Sequence, residues 1–126
     1  MDFDAKYLQL AAHIGFAASH ARRYDEAKTI FEGLHAFRPE QEGPIIGLAS
    51  VSMARGHHKE AEQMLDKEIL SKTPDSLGGR TYKGMSLALQ RRPDEAKVIL
   101  DSVIKDDSNA PEAKLAKGLL EFINTM

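Results

Sequence analysis

The 126-residue chain has no cysteine, no tryptophan and only 6% aromatic residues. Without thiols it forms neither disulfides nor thiolate zinc sites, and its redox compartment stays open. Long apolar runs are missing too, and nothing approaches the roughly 20 residues of a membrane span. Charge of one sign is lacking: 17 basic against 19 acidic residues give a net charge of -2. No broad electrostatic pull on nucleic acid or an anionic membrane follows, so any binding has to come from local shape. The opening Met1-Asp2-Phe3-Asp4 is acidic where a secretory leader is basic, so the cytoplasm is the expected location. What is plentiful is Leu, Ala, Glu and Lys, a composition suited to helices rather than strands.

An internal repeat organises these residues. Tyr24-Asp25-Glu26-Ala27, His58-Lys59-Glu60-Ala61 and Pro93-Asp94-Glu95-Ala96 occupy equivalent places, their alanines 34 and 35 residues apart. Twelve residues before each alanine stands another small residue, Gly15, Ala49 and Gly84, and Gly118 continues that series with no second helix after it. The extra residue is expected in the connection near Lys72-Thr73-Pro74-Asp75, because loops absorb insertions.

Each unit reads as two helices. Apolar stripes mark the second ones: Ala27, Ile30, Phe31, Leu34 and Phe37; Ala61, Met64, Leu65 and Ile69; Ala96, Ile99, Leu100, Val103 and Ile104. Glu26, Lys28, Glu32, Glu62, Asp66, Lys67, Lys97 and Asp101 fall between them as a solvated face. Pro93 suits a first helical turn, where its missing N–H is no loss. Asn109 with Glu112 predicts an N-terminal cap for a closing helix over 110–124.

Chemistry-bearing constellations are scarce. His57-His58 falls in a turn, and His13, His20 and His35 have no companions at ligand spacing, so no metal site is predicted. Gly78-Gly79-Arg80 lacks the Lys-Ser/Thr context of a phosphate loop and reads as a helix start. Arg22-Arg23 and Arg91-Arg92 end first helices, where cations oppose the helix dipole, or where a peptide carboxylate or phosphate could be met. No nucleophile–base pair or cofactor loop stands out, and neither enzymatic activity nor a cofactor is expected.

The pattern resembles the tetratricopeptide repeat. Ile14-Gly15, Ala18, Ala27, Phe31 and Pro39 fit in unit one; Leu48-Ala49, Ala61 and Leu65 in unit two; Gly84, Leu87, Ala96 and Leu100 in unit three. Its usual tryptophan is replaced by Ala11, Ile45 and Arg80, and its tyrosine by Ala18, Ser52 and Leu87. The resemblance implies an all-α fold, a right-handed superhelix of three helix-turn-helix repeats over about 8–41, 42–75 and 77–110 plus a capping helix, in one domain spanning 1–126. In that family the first helices line a concave groove. The matching positions are Ala12, Phe16 and Ser19; Ile46, Ser50 and Met53; and Thr81, Met85 and Ala88, with Tyr82 and Leu89 beside them. Such an apolar lining suits an amphipathic helix or extended apolar segment; alternatively Phe16, Ile46 and Met85 complete the core. Relatives that clamp the acidic end of a heat-shock chaperone use Lys, Asn and Arg where this chain has Ala12, Phe16, Ser50, Gly78 and Tyr82.

Size, repeat number and the texture of Ile30-Phe31-Glu32-Gly33-Leu34-His35-Ala36-Phe37-Arg38-Pro39, followed by Ile46-Gly47-Leu48-Ala49, are similar to the small type III secretion chaperones, particularly those of the needle subunit. That resemblance implies a groove covering an amphipathic helix of a secreted or self-assembling subunit, with a second small chaperone as a further partner. The other expectation is a generic scaffold or adaptor in a signalling or envelope-assembly complex, able to self-associate through its closing helix.

Overall fold

Helices are the only regular elements among the described residues of the computed structural model, which covers residues 2–125, with side chains from Gln9 onward. In chain order they are α1 (Asp2–His20), α2 (Tyr24–Phe37), α3 (Gly43–Ala54), α4 (His58–Leu65), α5 (Leu77–Leu89), α6 (Pro93–Asp106) and α7 (Pro111–Asn124). A π turn, Asp66–Leu70, extends α4. The helices pair as α1/α2, α3/α4 and α5/α6, and α7 closes the array on α5 and α6. The chain of contacts α1 to α3 to α5 to α7 makes the first helices an inner layer, with α2, α4 and α6 outside it.

Small residues set the distance between layers. Ala27, Ala61 and Ala96 have no exposed surface. A Cβ on Gly15 would stand 2.8 Å from the Phe31 ring, and one on Gly84 would stand 2.6 Å from Leu100, so each glycine admits the large residue of its partner helix. Gly47, which the repeat pattern does not single out, receives the same Phe31 ring from the other side. Phe31 is therefore shared between units one and two. Gly118 meets nothing within 4 Å, as befits a first helix with no second to cover it. Burying residues the size of Phe31, Leu65 and Leu100 contributes about 2–3 kcal/mol each.

The additional residue sits in a helix, not in the connection near Lys72–Asp75. Buried positions run Ala27, Phe31, Leu34 and Ala96, Leu100, Val103, with offsets of four and three, but Ala61, Leu65, Ile69, with two offsets of four. The wider π turn takes up one residue and returns Ile69 to the core face. Its Ile69 and Leu70 then crowd the start of α5, where a Cβ on Gly79 would meet them at 2.8 and 3.0 Å. That contact, together with Ser76 capping the Gly79 N–H at 2.9 Å, accounts for the glycine pair as a helix start.

Other details depart from the sequence pattern. The cap position of α7 is Ala110 with Pro111 following, while the Asn109 N–H donates to Asp107 Oδ1; Asn109 and Glu112 form no cap. Phe37 is 63% exposed rather than part of the core stripe. Glu62 and Asp66 are not freely solvated: Glu62 pairs with Arg92 and Asp66 with Lys83. Arg22, Gly56 and Arg91 all take left-handed backbone, with φ of 64°, 83° and 60°. In each case the next N–H donates back across the helix end, from Arg23 to Ala18, His57 to Ser52 and Arg92 to Leu87. Only Gly56 adopts this geometry without strain.

Candidate functional site

The inner helices present one concave face. One part of it is a cavity of about 300 Å3 between α1, the end of α2 and the start of α3, lined by Gln9, Ala12, Phe16, Leu34, Arg38, Gln41, Gly43, Pro44 and Ile46. Ala12, Phe16 and Ile46 come together here. Phe16 is 42% exposed, and its ring meets the buried Phe31 ring edge-on with centroids 4.8 Å apart. One side of the aromatic pair is thus core and the other is open surface.

The remaining positions named from the repeat register spread along the same inner layer without joining that cavity. Ser19, Ser50, Tyr82 and Met85 are half-buried, and Leu89 is exposed. Tyr82 and Met85 pack against the Ile45, Ala49 and Leu65 cluster. Met53 is buried and Thr81 has 0% exposure, its hydroxyl donating to the Leu77 carbonyl, so these two lie beneath the surface. Ser50 likewise spends its hydroxyl on the Ile46 carbonyl.

Leu34, Arg38 and Pro44 are cavity residues outside the first-helix register, since two of them come from the end of α2 and one from the helix start. Leu115 and Phe122 are exposed on α7, Phe122 by 59%. They stand 34 residues beyond Thr81 and Ala88, so continuing the register through Gly118 places them on the inner layer.

Electrostatics differ along the array. Burial pushes the Tyr82 phenol above its ordinary value, and the Glu112 carboxylate adds to that. Burial also raises the Glu62 carboxyl, but hydrogen bonds from Gln90 and Arg92 and the charges of Arg92 and Lys83 outweigh it, leaving Glu62 below its ordinary value. Arg80 is held by Asp106, Ser102 and the Asp75 carbonyl. No group of three metal-ligating side chains occurs among the described residues, and none of their helices is long and apolar enough to cross a membrane.

The fold so defined is that of a tetratricopeptide-repeat array, and the tetratricopeptide repeat model matches residues 18–78. Among solved structures the chain is similar to the Yersinia enterocolitica type III secretion translocator chaperone SycD, with a TM-score of 0.73 and 17% identity over 95% of this chain and 93% of that one. It is also similar to Pseudomonas aeruginosa PcrH in complex with the chaperone binding region of PopD, with a TM-score of 0.70 and 18% identity over 96% and 93% of the two chains. The first such domain of human RPAP3 matches with a TM-score of 0.74 and 17% identity over 94% and 90%, and an RPAP3 first domain is solved with the HSP90 peptide SRMEEVD. No curated protein matches the chain by sequence.

Proposed function

We propose that the chain is a type III secretion chaperone, acting as one domain in the bacterial cytoplasm, that holds an apolar or amphipathic segment of a secreted subunit in its concave groove. The observation that carries this reading is the open apolar cavity against Phe16. It supplies a place to bury side chains of a partner that would otherwise drive self-association. SycD and PcrH, which share the fold and nearly the whole length, are solved with a peptide of the translocator YopD and with the chaperone binding region of PopD. Those neighbours favour a translocator-type subunit over the needle subunit as the cargo. The groove residues proposed are Ala12, Phe16, Ser19, Ile46, Ser50, Tyr82, Met85 and Leu89, with Met53 and Thr81 supporting them from below.

RPAP3 shows that the same architecture also holds an acidic chaperone tail. Here the positions that clamp such tails carry Ala12, Phe16, Ser50, Gly78 and Tyr82, none of them cationic, so that ligand has no counterpart. The reading is of binding rather than catalysis.

The test is co-expression of the tagged chain with the secreted subunits encoded beside it, followed by pull-down and sizing of the complex. The wild-type chain should retain one subunit as a monomeric cargo. Phe16→Asp and Met85→Asp should lose it while helical circular dichroism is unchanged. Retention of no secreted subunit sinks the chaperone reading, and unfolding of both variants shows these residues to be core.

A further inference from the structure

Arg38 has a property that a purely apolar groove leaves unexplained. It borders the cavity formed by Ala12, Phe16, Leu34, Pro44 and Ile46. The residue is half-buried, its guanidinium carbon lies 5.5 Å from the Phe37 ring centroid, and its Nε is buried without a hydrogen-bond partner among the described residues. The other half-buried arginines are paired, Arg80 with Asp106 and Ser102, and Arg92 with Glu62 and Glu95. The acids nearest Arg38 in sequence lie away from its cavity. Glu40 and Glu42 line a separate hollow with Ile45, Glu68 and Lys72, and Glu42 accepts a hydrogen bond from Ser76 Oγ at 2.7 Å.

A partly desolvated cation with no acid paired to it among the described residues is unfavourable in the empty protein, and a carboxylate meeting the guanidinium from the cavity side offsets that cost. We infer that the cavity selects segments carrying an Asp or Glu side chain next to the apolar residue that fills it. The apolar side chain takes the hollow beside Phe16, and the carboxylate accepts from Arg38. This inference rests on the groove reading above and adds the chemistry of its occupant. Shape admits many apolar segments; Arg38 discriminates among them by charge.

The experiment is selection of the full chain against a phage-displayed library of random 12-residue segments flanked on both sides, so that no free chain terminus is offered. Wild-type selections should be enriched in Asp or Glu within four positions of Leu, Ile, Met or Phe. A selected segment, synthesised with capped ends, should bind Arg38→Gln about tenfold more weakly. Changing its acid to the matching amide should lose the same factor on the wild-type chain, which keeps the test valid if Arg38→Gln fails to fold. Selections on Arg38→Glu should turn to Lys and Arg. Apolar sequences without acids, or an affinity indifferent to both substitutions, overturn the role of Arg38 and leave the groove standing. No apolar enrichment at all overturns the groove reading with it.

Discussion

Units one and three are built on the same contact, a glycine of the first helix receiving a large side chain of the second, yet what surrounds that contact differs. In unit three Leu100 is enclosed by Leu87, Val103, Ala116 and Ile123, and the charged residues nearby are paired: Arg80 with Asp106, Arg92 with Glu62 and Glu95, Lys83 with Asp66. In unit one Phe31 touches a ring that is open to solvent, a mostly apolar cavity lies beside that ring, and Arg38 has no acid paired with it among the described residues. A repeated architecture thus keeps its scaffold constant while the character of its surface changes from unit to unit: the hollow at unit one is mostly apolar, and the one at unit three is rimmed by the paired Glu62, Lys83, Arg92 and Glu95. Residues whose contacts are complete hold the fold; residues with capacity to spare are the ones a partner can use.

Breaking the two matched contacts should produce the largest effects and separate their roles. Phe31→Ala is expected to cost about 3–5 kcal/mol and Leu100→Ala about 2–5 kcal/mol in urea unfolding, because both leave cavities in a packed interior. Only Phe31→Ala should also weaken binding of a groove ligand, since only that ring backs the cavity wall. A smaller difference separates the charged groups. Glu62→Gln should cost about 1 kcal/mol near neutral pH. The depressed Glu62 pKa means that its stabilisation is present above the ordinary value of 4.5 and is lost as pH falls through the lower folded value. Unfolding midpoints measured from pH 7 to 3 should therefore fall more steeply for the wild-type chain than for Glu62→Gln. Arg38→Gln, with no ion pair to lose among the described residues, should leave that profile unchanged. Smallest of all, Arg22→Gly and Arg91→Gly should each raise stability by about 0.5–1 kcal/mol in the same assay by relieving left-handed backbone.

Spacing alone was enough to read helix order, pairing and the closing helix, because small residues at fixed intervals are a direct demand of close helix contact. The alanines at 27, 61 and 96 and the glycines at 15 and 84 all meet that demand. The place of the inserted residue was not legible from these markers, since a π turn and a longer loop both lengthen their spacing by one. The step from Leu65 to Ile69, four where the sister helices have three, was the signal that distinguishes them. Left-handed Arg22 and Arg91 could be inferred only by aligning them with Gly56, because arginine has no preference for that backbone. Of the cavity, the first-helix register supplied Ala12, Phe16 and Ile46. Leu34 and Arg38 come from a second helix, and nothing in a periodic pattern says that its last turn leans over the groove.

Phe31 stands at once behind the Phe16 wall of the groove and in the seam between the first two units, wedged between Gly15 and Gly47. Any side chain pressed onto Phe16 is transmitted through one ring to two backbones. A ligand seated as proposed above would therefore press on the angle between units one and two as well as on the surface it covers, which would make the curvature of the superhelix at that end part of its grip.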